Sequence, residues 1–198
     1  MKEPRPPEWF ELFEFWFHPP TPTDAMDRVK RWFIADAKFD AELKHYEPWL
    51  DRTLPSDWHE TAEGALTVVL LYDQLPRNLY RGTAQAFQWD TKGLEEAKRA
   101  IAFGQDKKVD PIARIFFYLP FEHHESMEAQ NEAVLLIGAL VKELPPQAKK
   151  LSDMFYDFAV QHRDVIEKYG RFPHRNKALG RESTNAELAY LAQPGAGF

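Results

Sequence analysis

Apolar residues recur at helical spacing along almost all of this 198-residue chain, and no run alternates strictly between apolar and polar. Phe39, Leu43, Tyr46 and Leu50, for example, fall at i, i+4, i+7 and i+11, one face of a helix. Strands need a period of two, so the pattern predicts an all-α chain. Prolines and glycines cut it into pieces. A first helix over Glu8–Phe17 carries a narrow glutamate stripe and stops at Pro19-Pro20. One or two helices follow between Asp24 and Leu50, with Pro48 breaking the last turn. Asp57 and Glu60 read as a capping box opening a Val/Leu-rich helix that ends at Leu75, before Pro76. Asp90 caps the next helix and Gly104 ends it, while Asp110-Pro111 starts one that reaches Pro120. Ser126 caps a helix to Glu143, closed by Pro145-Pro146. A long helix then carries Leu151, Phe155, Phe158, His162, Val165 and Tyr169 on one face up to Gly170. Thr184 and Glu187 form a second capping box, for a short last helix ended by Pro194-Gly195.

These signals predict eight or nine helices in a single domain over residues 1–198. A chain of this length buries roughly 70% of its unfolded surface, and 15 Phe, 7 Tyr and 6 Trp make the core aromatic. Cysteine is absent, which excludes disulfides and thiol chemistry and fits a reducing cytoplasm. Glu8, Glu11 and Glu14 break the N-terminal aromatic stretch, so no secretory signal is expected. The longest apolar run, Ala133–Val141, is far short of the ~20 residues a membrane span needs. A net charge of −6 argues against nucleic-acid binding.

Against that acidic background, residues 162–182 hold six Lys/Arg and only three acids. The basic stretch contains the third of three proline segments with one grammar, a large apolar residue before the proline and polar chemistry after it. They read DQLPRNLYRG from Asp73, LPFEHHE from Leu119, and RFPHRN from Arg171. If their helices run the same way, the three segments meet at one rim. Arg77, Arg81, Arg163, Arg171, Arg175 and Arg181 could then cradle a carboxylate or phosphate, because a guanidinium matches those groups bidentately. His162 or His174 would carry a proton, since imidazole titrates near neutrality. Asp73, Glu122 or Asp164 would orient it, and Asn78, His123 and Asn176 complete the candidate lining. An internal network of paired arginines and carboxylates accounts for the same residues equally well.

Several signatures fail. His162-Arg163-Asp164 lacks the asparagine of a kinase catalytic loop. His59-Glu60-Thr61-Ala62-Glu63 ends in Glu where a metalloprotease helix needs His. No spacing demands a metal, and with no dinucleotide fingerprint no cofactor is expected.

The three proline segments, taken with Tyr80-Arg81-Gly82, His162-Arg163-Asp164 and Gly180-Arg181-Glu182-Ser183-Thr184, resemble the bacterial domain-of-unknown-function family nine-two-four. The resemblance runs from Phe15-Trp16-Phe17 to the last helix. It implies a tetratricopeptide-like α-α superhelix or an irregular helical array, and it carries no activity, although the 34-residue consensus of true tetratricopeptide repeats is missing. The expectation is therefore a pocket for a small anionic ligand at the junction of the three segments, with a proton carrier inside it. The alternative is a helical scaffold or adaptor for a protein partner. Nothing in the sequence fixes the oligomeric state.

Overall fold

A helix that is buried on every side belongs at the centre of a domain, and two helices here have long stretches of that kind. The structure is a computed structural model that describes residues 6–18, 25–34 and 36–197. Nine α-helices and no strands occur among the described residues. They are α1 (Trp9–Phe17), α2 (Ala25–Phe33), α3 (Ala37–Leu43), α4 (Ala62–Leu79), α5 (Asp90–Ala102), α6 (Pro111–Glu122), α7 (Met127–Glu143), α8 (Lys149–Tyr169) and α9 (Asn185–Leu191). Every residue of α4 from Gly64 to Pro76 is buried, with α1, α3, α5 and α6 packed around it. Consecutive helices α4 to α8 each pack on the next. One aromatic core joins α1 through α8. A small separate one, Val165, Ile166 and Phe172, lies at the C-terminal end of α8. No helix among the described residues is long and apolar enough to cross a membrane.

Most boundary signals act as local chemistry dictates. Asp110 accepts from the Ile112 N–H with Pro111 in the first turn. Ser126 caps α7, Gly170 closes α8 at φ 67°, and Thr184 with Glu187 forms a full capping box for α9. Phe39, Leu43, Tyr46 and Leu50 are all buried. The expected stop at Pro19-Pro20 lies outside the described residues.

Other expectations are overturned. Pro76 and Pro120 lie inside helices: α4 continues to Leu79 and α6 to Glu122. Around Pro76 two side chains supply donors, Arg77 Nη1 to the Asp73 carbonyl at 2.6 Å and Asn78 Nδ2 to the Gln74 carbonyl at 3.0 Å. At the end of α6, Gln130 Nε2 donates to the carbonyls of Glu122 (2.7 Å) and His124 (2.8 Å). Asp57 and Glu60 form no capping box. Asp57 sits in a 3₁₀ turn over Ser56–His59, and Thr61 caps α4. Asp90 begins α5 without capping it. On α8, Phe158 is 42% exposed and Ala159 takes the buried position.

The first turn of α4 packs closely on the 3₁₀ turn before it. A Cβ on Gly64 would lie 2.4 Å from the carbonyl oxygen of Trp58, and the Trp58 ring is fully buried. Alanine in a helix interior ordinarily stabilises by up to about 1 kcal/mol over glycine. Gly64→Ala is expected to do the reverse, costing about 1–3 kcal/mol through overpacking, which a urea unfolding midpoint would register.

Candidate active site

The buried end of α4 places two polar side chains, Asp73 and Gln74, inside the core, and buried polar groups must find partners. Asp73 finds three. His123, just past the end of α6, brings Nδ1 to 2.8 and 3.0 Å from the two carboxylate oxygens. Gln74 Nε2 donates to Oδ2 at 2.7 Å, and Arg77 Nη1 lies 3.2 Å from Oδ1. Burial alone would push the Asp73 carboxyl up, but Arg77 and His123 hold it below the usual carboxylate range.

Arg77 also meets Asp90, at 2.9 Å, and Asp90 pairs through its other oxygen with Arg175 at 3.0 Å. One carboxylate from the start of α5 thus couples α4 to the 3₁₀ turn Pro173–Arg175. Arg175 is sandwiched between Phe87 and Phe172, 4.5 Å from each ring centre, and donates to the His123 carbonyl at 2.9 Å. Burial and nearby Arg77 lower its pKa to about 10, so it stays charged. Arg77 Nη2 and Arg175 Nε are buried without a hydrogen-bond partner among the described residues.

The interior of the cluster holds Glu122 and His162. Burial, reinforced by the charge of Asp73, pushes Glu122 up to about 8, so this carboxyl keeps its proton at neutral pH. His162 lies 3.2 Å away. Burial and the neighbouring His123 take its pKa well below the usual value, and it is neutral. Its Nδ1 lies 2.8 Å from the Phe158 carbonyl, which can only accept, so Nδ1 carries the hydrogen and Nε2 the lone pair. The same logic fixes His123, whose pKa burial lowers although Asp73 opposes it: Nδ1–H donates to Asp73, leaving Nε2 unprotonated. Two imidazoles in defined tautomers, 6.2 Å apart, therefore stand beside one neutral carboxyl and one ionised one. The side chains of Arg77, Asp90 and His123 remain 15–16% exposed, so solvent reaches the cluster's edge.

The structure brings Asp73, Arg77, Glu122, His123, His162 and Arg175 together. A second group adjoins them and fastens residues 171–187. Arg181 forms a bidentate pair with Glu125 at 2.7 and 2.9 Å, and Glu125 accepts the Phe172 N–H at 2.8 Å. Arg171 grips Glu187 at 2.6 and 2.8 Å, and Asn176 links Arg181 to Ser183. His174 packs on Phe172, and burial with Arg175 lowers its pKa to about 4. Other candidates lie apart. Arg81 pairs with Asp40 and contacts Asn78. Arg163 and Asp164 pair with each other at the surface, so Asp164 orients no histidine of the cluster. Two surface clefts, one between α5 and α7 and one beside α1 and α6, are lined by none of these arginines.

Because the small core at this end offers little apolar burial, the second group holds the C-terminal segment. Arg181→Ala is expected to raise amide exchange across 171–191 about ten-fold or more while leaving α4 protected, since a charged hydrogen bond contributes about 1.5–3 kcal/mol.

Family comparison agrees with the motif order. The model of a bacterial protein family of unknown function (DUF924) matches residues 12–195. The chain belongs to this family. A structure of a protein of unknown function from Agrobacterium tumefaciens is similar, at 35% identity over 93% of this chain and 96% of that one, with a TM-score of 0.71. No curated protein matches. The DUF924 designation assigns no chemistry, so the site must be read from its own geometry. Sequence reasoning missed several partners in this DUF924 chain: Asp90, read as a cap; Glu125 and Glu187, read as a loop acid and a box residue; and Phe87. Asp90 stands one residue after a tryptophan at a helix start, a position whose cap role hid its reach.

Proposed function

We propose that the chain binds a small polar ligand at the Asp73–Arg175 cluster and exchanges a proton with it. The observation that carries this reading is the placement of two buried carboxyls, Asp73 against Arg77 and His123 and Glu122 against His162, which holds Asp73 down and pushes Glu122 up to about 8 beside two neutral imidazoles. Environments that push neighbouring titratable groups apart separate an acid from a base, and such groups concentrate at functional sites. Glu122 would serve as the proton donor, and His123 or His162 as the acceptor at Nε2, with Asp73 positioning His123. His174, expected as an alternative carrier, belongs to the wall.

Carboxylate or phosphate oxygens suit the unpartnered N–H groups of Arg77 and Arg175, because a buried donor without an acceptor costs about 1–3 kcal/mol. The two carboxylates and two guanidiniums of the cluster cancel, so preference for an anion rests on those N–H groups and not on net charge. The scaffold reading fits the second group best: its Arg171, Asn176 and Arg181 are engaged with protein partners, while Arg77 and Arg175 are engaged by Asp73 and Asp90 through only part of their guanidinium groups. Successive packing of α4 to α8 supports reading the chain as a single tetratricopeptide-like domain, and the lack of cysteine supports a cytoplasmic one.

The test is a thermal-shift panel of phosphorylated and carboxylated metabolites, followed by ¹⁵N spectra of the imidazoles. A binding compound should raise the melting temperature and move the His123 and His162 resonances in the wild type, and do neither in Arg175→Ala. A panel in which every compound leaves both unmoved would refute the proposal.

A further inference from the structure

A cleft between α5 and α7, outside the buried cluster, combines an apolar floor with acidic side chains. Its volume is about 540 Å³, within the range typical of small-molecule sites. Leu94, Phe121 and Ala129 are buried residues in its lining, so the floor is apolar. Glu95 on α5 and Glu128 and Glu132 on α7 stand at the rim, opposed by Lys98 alone. All four are exposed, and none makes an ion pair among the described residues, although α5 and α7 carry basic residues elsewhere. Glu128 and Glu132, four apart on one helix, are like charges that repel slightly. A cation between them and Glu95 would relieve that repulsion. His124, also in the lining, has a buried Nδ1 with no hydrogen-bond partner among the described residues.

We infer that this cleft binds a small organic amine with an apolar body, its ammonium held by Glu95, Glu128 and Glu132 and its body resting on Leu94, Phe121 and Ala129. Neither half suffices alone: exposed carboxylates hold a free ion weakly, and a shallow apolar floor gives no selectivity by charge. Together they select for charge and shape at once. Lys98 disfavours the amine and so sets the affinity. The inference stands apart from the proton-transfer cluster, because none of the cluster's six residues lines the cleft.

The probe is 2-phenylethylamine, with 3-phenylpropanoate as its charge-reversed counterpart, titrated into ¹⁵N-labelled full-length protein. The amine should shift the amides of Leu94, Lys98, Ala129 and Glu132 saturably, and the acid should not. Glu128→Gln/Glu132→Gln should weaken the amine about ten-fold, and Lys98→Gln should tighten it several-fold. These positions are on the surface, so the variants keep the wild-type fold, and a spectrum unchanged outside the cleft checks that. Equal binding of the acid, an unaltered affinity in the double glutamine variant, or no saturable shift at millimolar amine would overturn the inference. Movement of the His123 and His162 resonances in place of the cleft amides would also overturn it, and would point instead to the buried cluster.

Discussion

Asp73→Asn should lower the melting temperature by about 10 °C. Removing one partner of a buried ion pair costs about 3–5 kcal/mol, because the other charge is left uncompensated, and each kcal/mol shifts a domain of this size by about 2–4 °C. Asp73 is 1% exposed and answers His123, Gln74 and Arg77 at once. Without that charge, the carboxylate facing Arg77 is Asp90, which it shares with Arg175. Asparagine preserves the shape, so the loss measures charge and not packing. Asp73→Asn combined with Arg77→Met should recover part of the stability, since replacing both partners removes the stranded charge. Arg163→Ala sets the scale from the other side. Its partner Asp164 is exposed, and the change should stay within about 0.5 kcal/mol. Calorimetry or fluorescence-detected melting of the three variants beside the wild type decides the matter.

Stability should also pass through a maximum near pH 6.5. Below it, unfolding lets His123, His162 and His174 take up protons that the folded chain refuses, their pKa values being lowered, to about 4 for His174. His59, also lowered, acts in the same sense. Acid therefore favours the unfolded chain as pH falls from 6.5. Above 6.5, those imidazoles are neutral in both states and Glu122 takes over. Unfolded, it has lost its proton well below neutrality; folded, it keeps it to about pH 8. Unfolding then releases a proton, and stability falls as pH rises from 6.5 to 8, by about 2 kcal/mol at 1.36 kcal/mol per unit. Beyond pH 8 both states are ionised and the decline levels off. Glu122→Gln, permanently neutral, should abolish the alkaline decline and leave the acid one intact. Urea midpoints between pH 5 and 9 for both proteins would register it.

Helix ends were legible where a cap acts within four residues. Ser126, Asp110-Pro111, Gly170 and the Thr184–Glu187 box all work through local hydrogen bonds or backbone geometry. Pro76 and Pro120 misled because their helices are buried at that point and continue past each proline inside the packed core. Gly64 carried no sign that the Trp58 carbonyl would rest on it. The candidate site was half legible. Residue types and segment order pointed to Asp73, Glu122, His123, His162 and Arg175. Which carboxylate each arginine meets depends on how helices cross, and so Asp90 and Glu125 escaped notice. Arg81 and Arg163 look identical to Arg77 and Arg175 as sequence; only packing turns one pair outward and the other in.

The protonation pattern of the cluster is measurable directly. Two-bond ¹H–¹⁵N spectra of imidazole-labelled protein at pH 6.5 should give His123 and His162 as neutral rings with the hydrogen on Nδ1 and the lone pair on Nε2. Rings that are charged at that pH, or that carry the hydrogen on Nε2, would contradict the account.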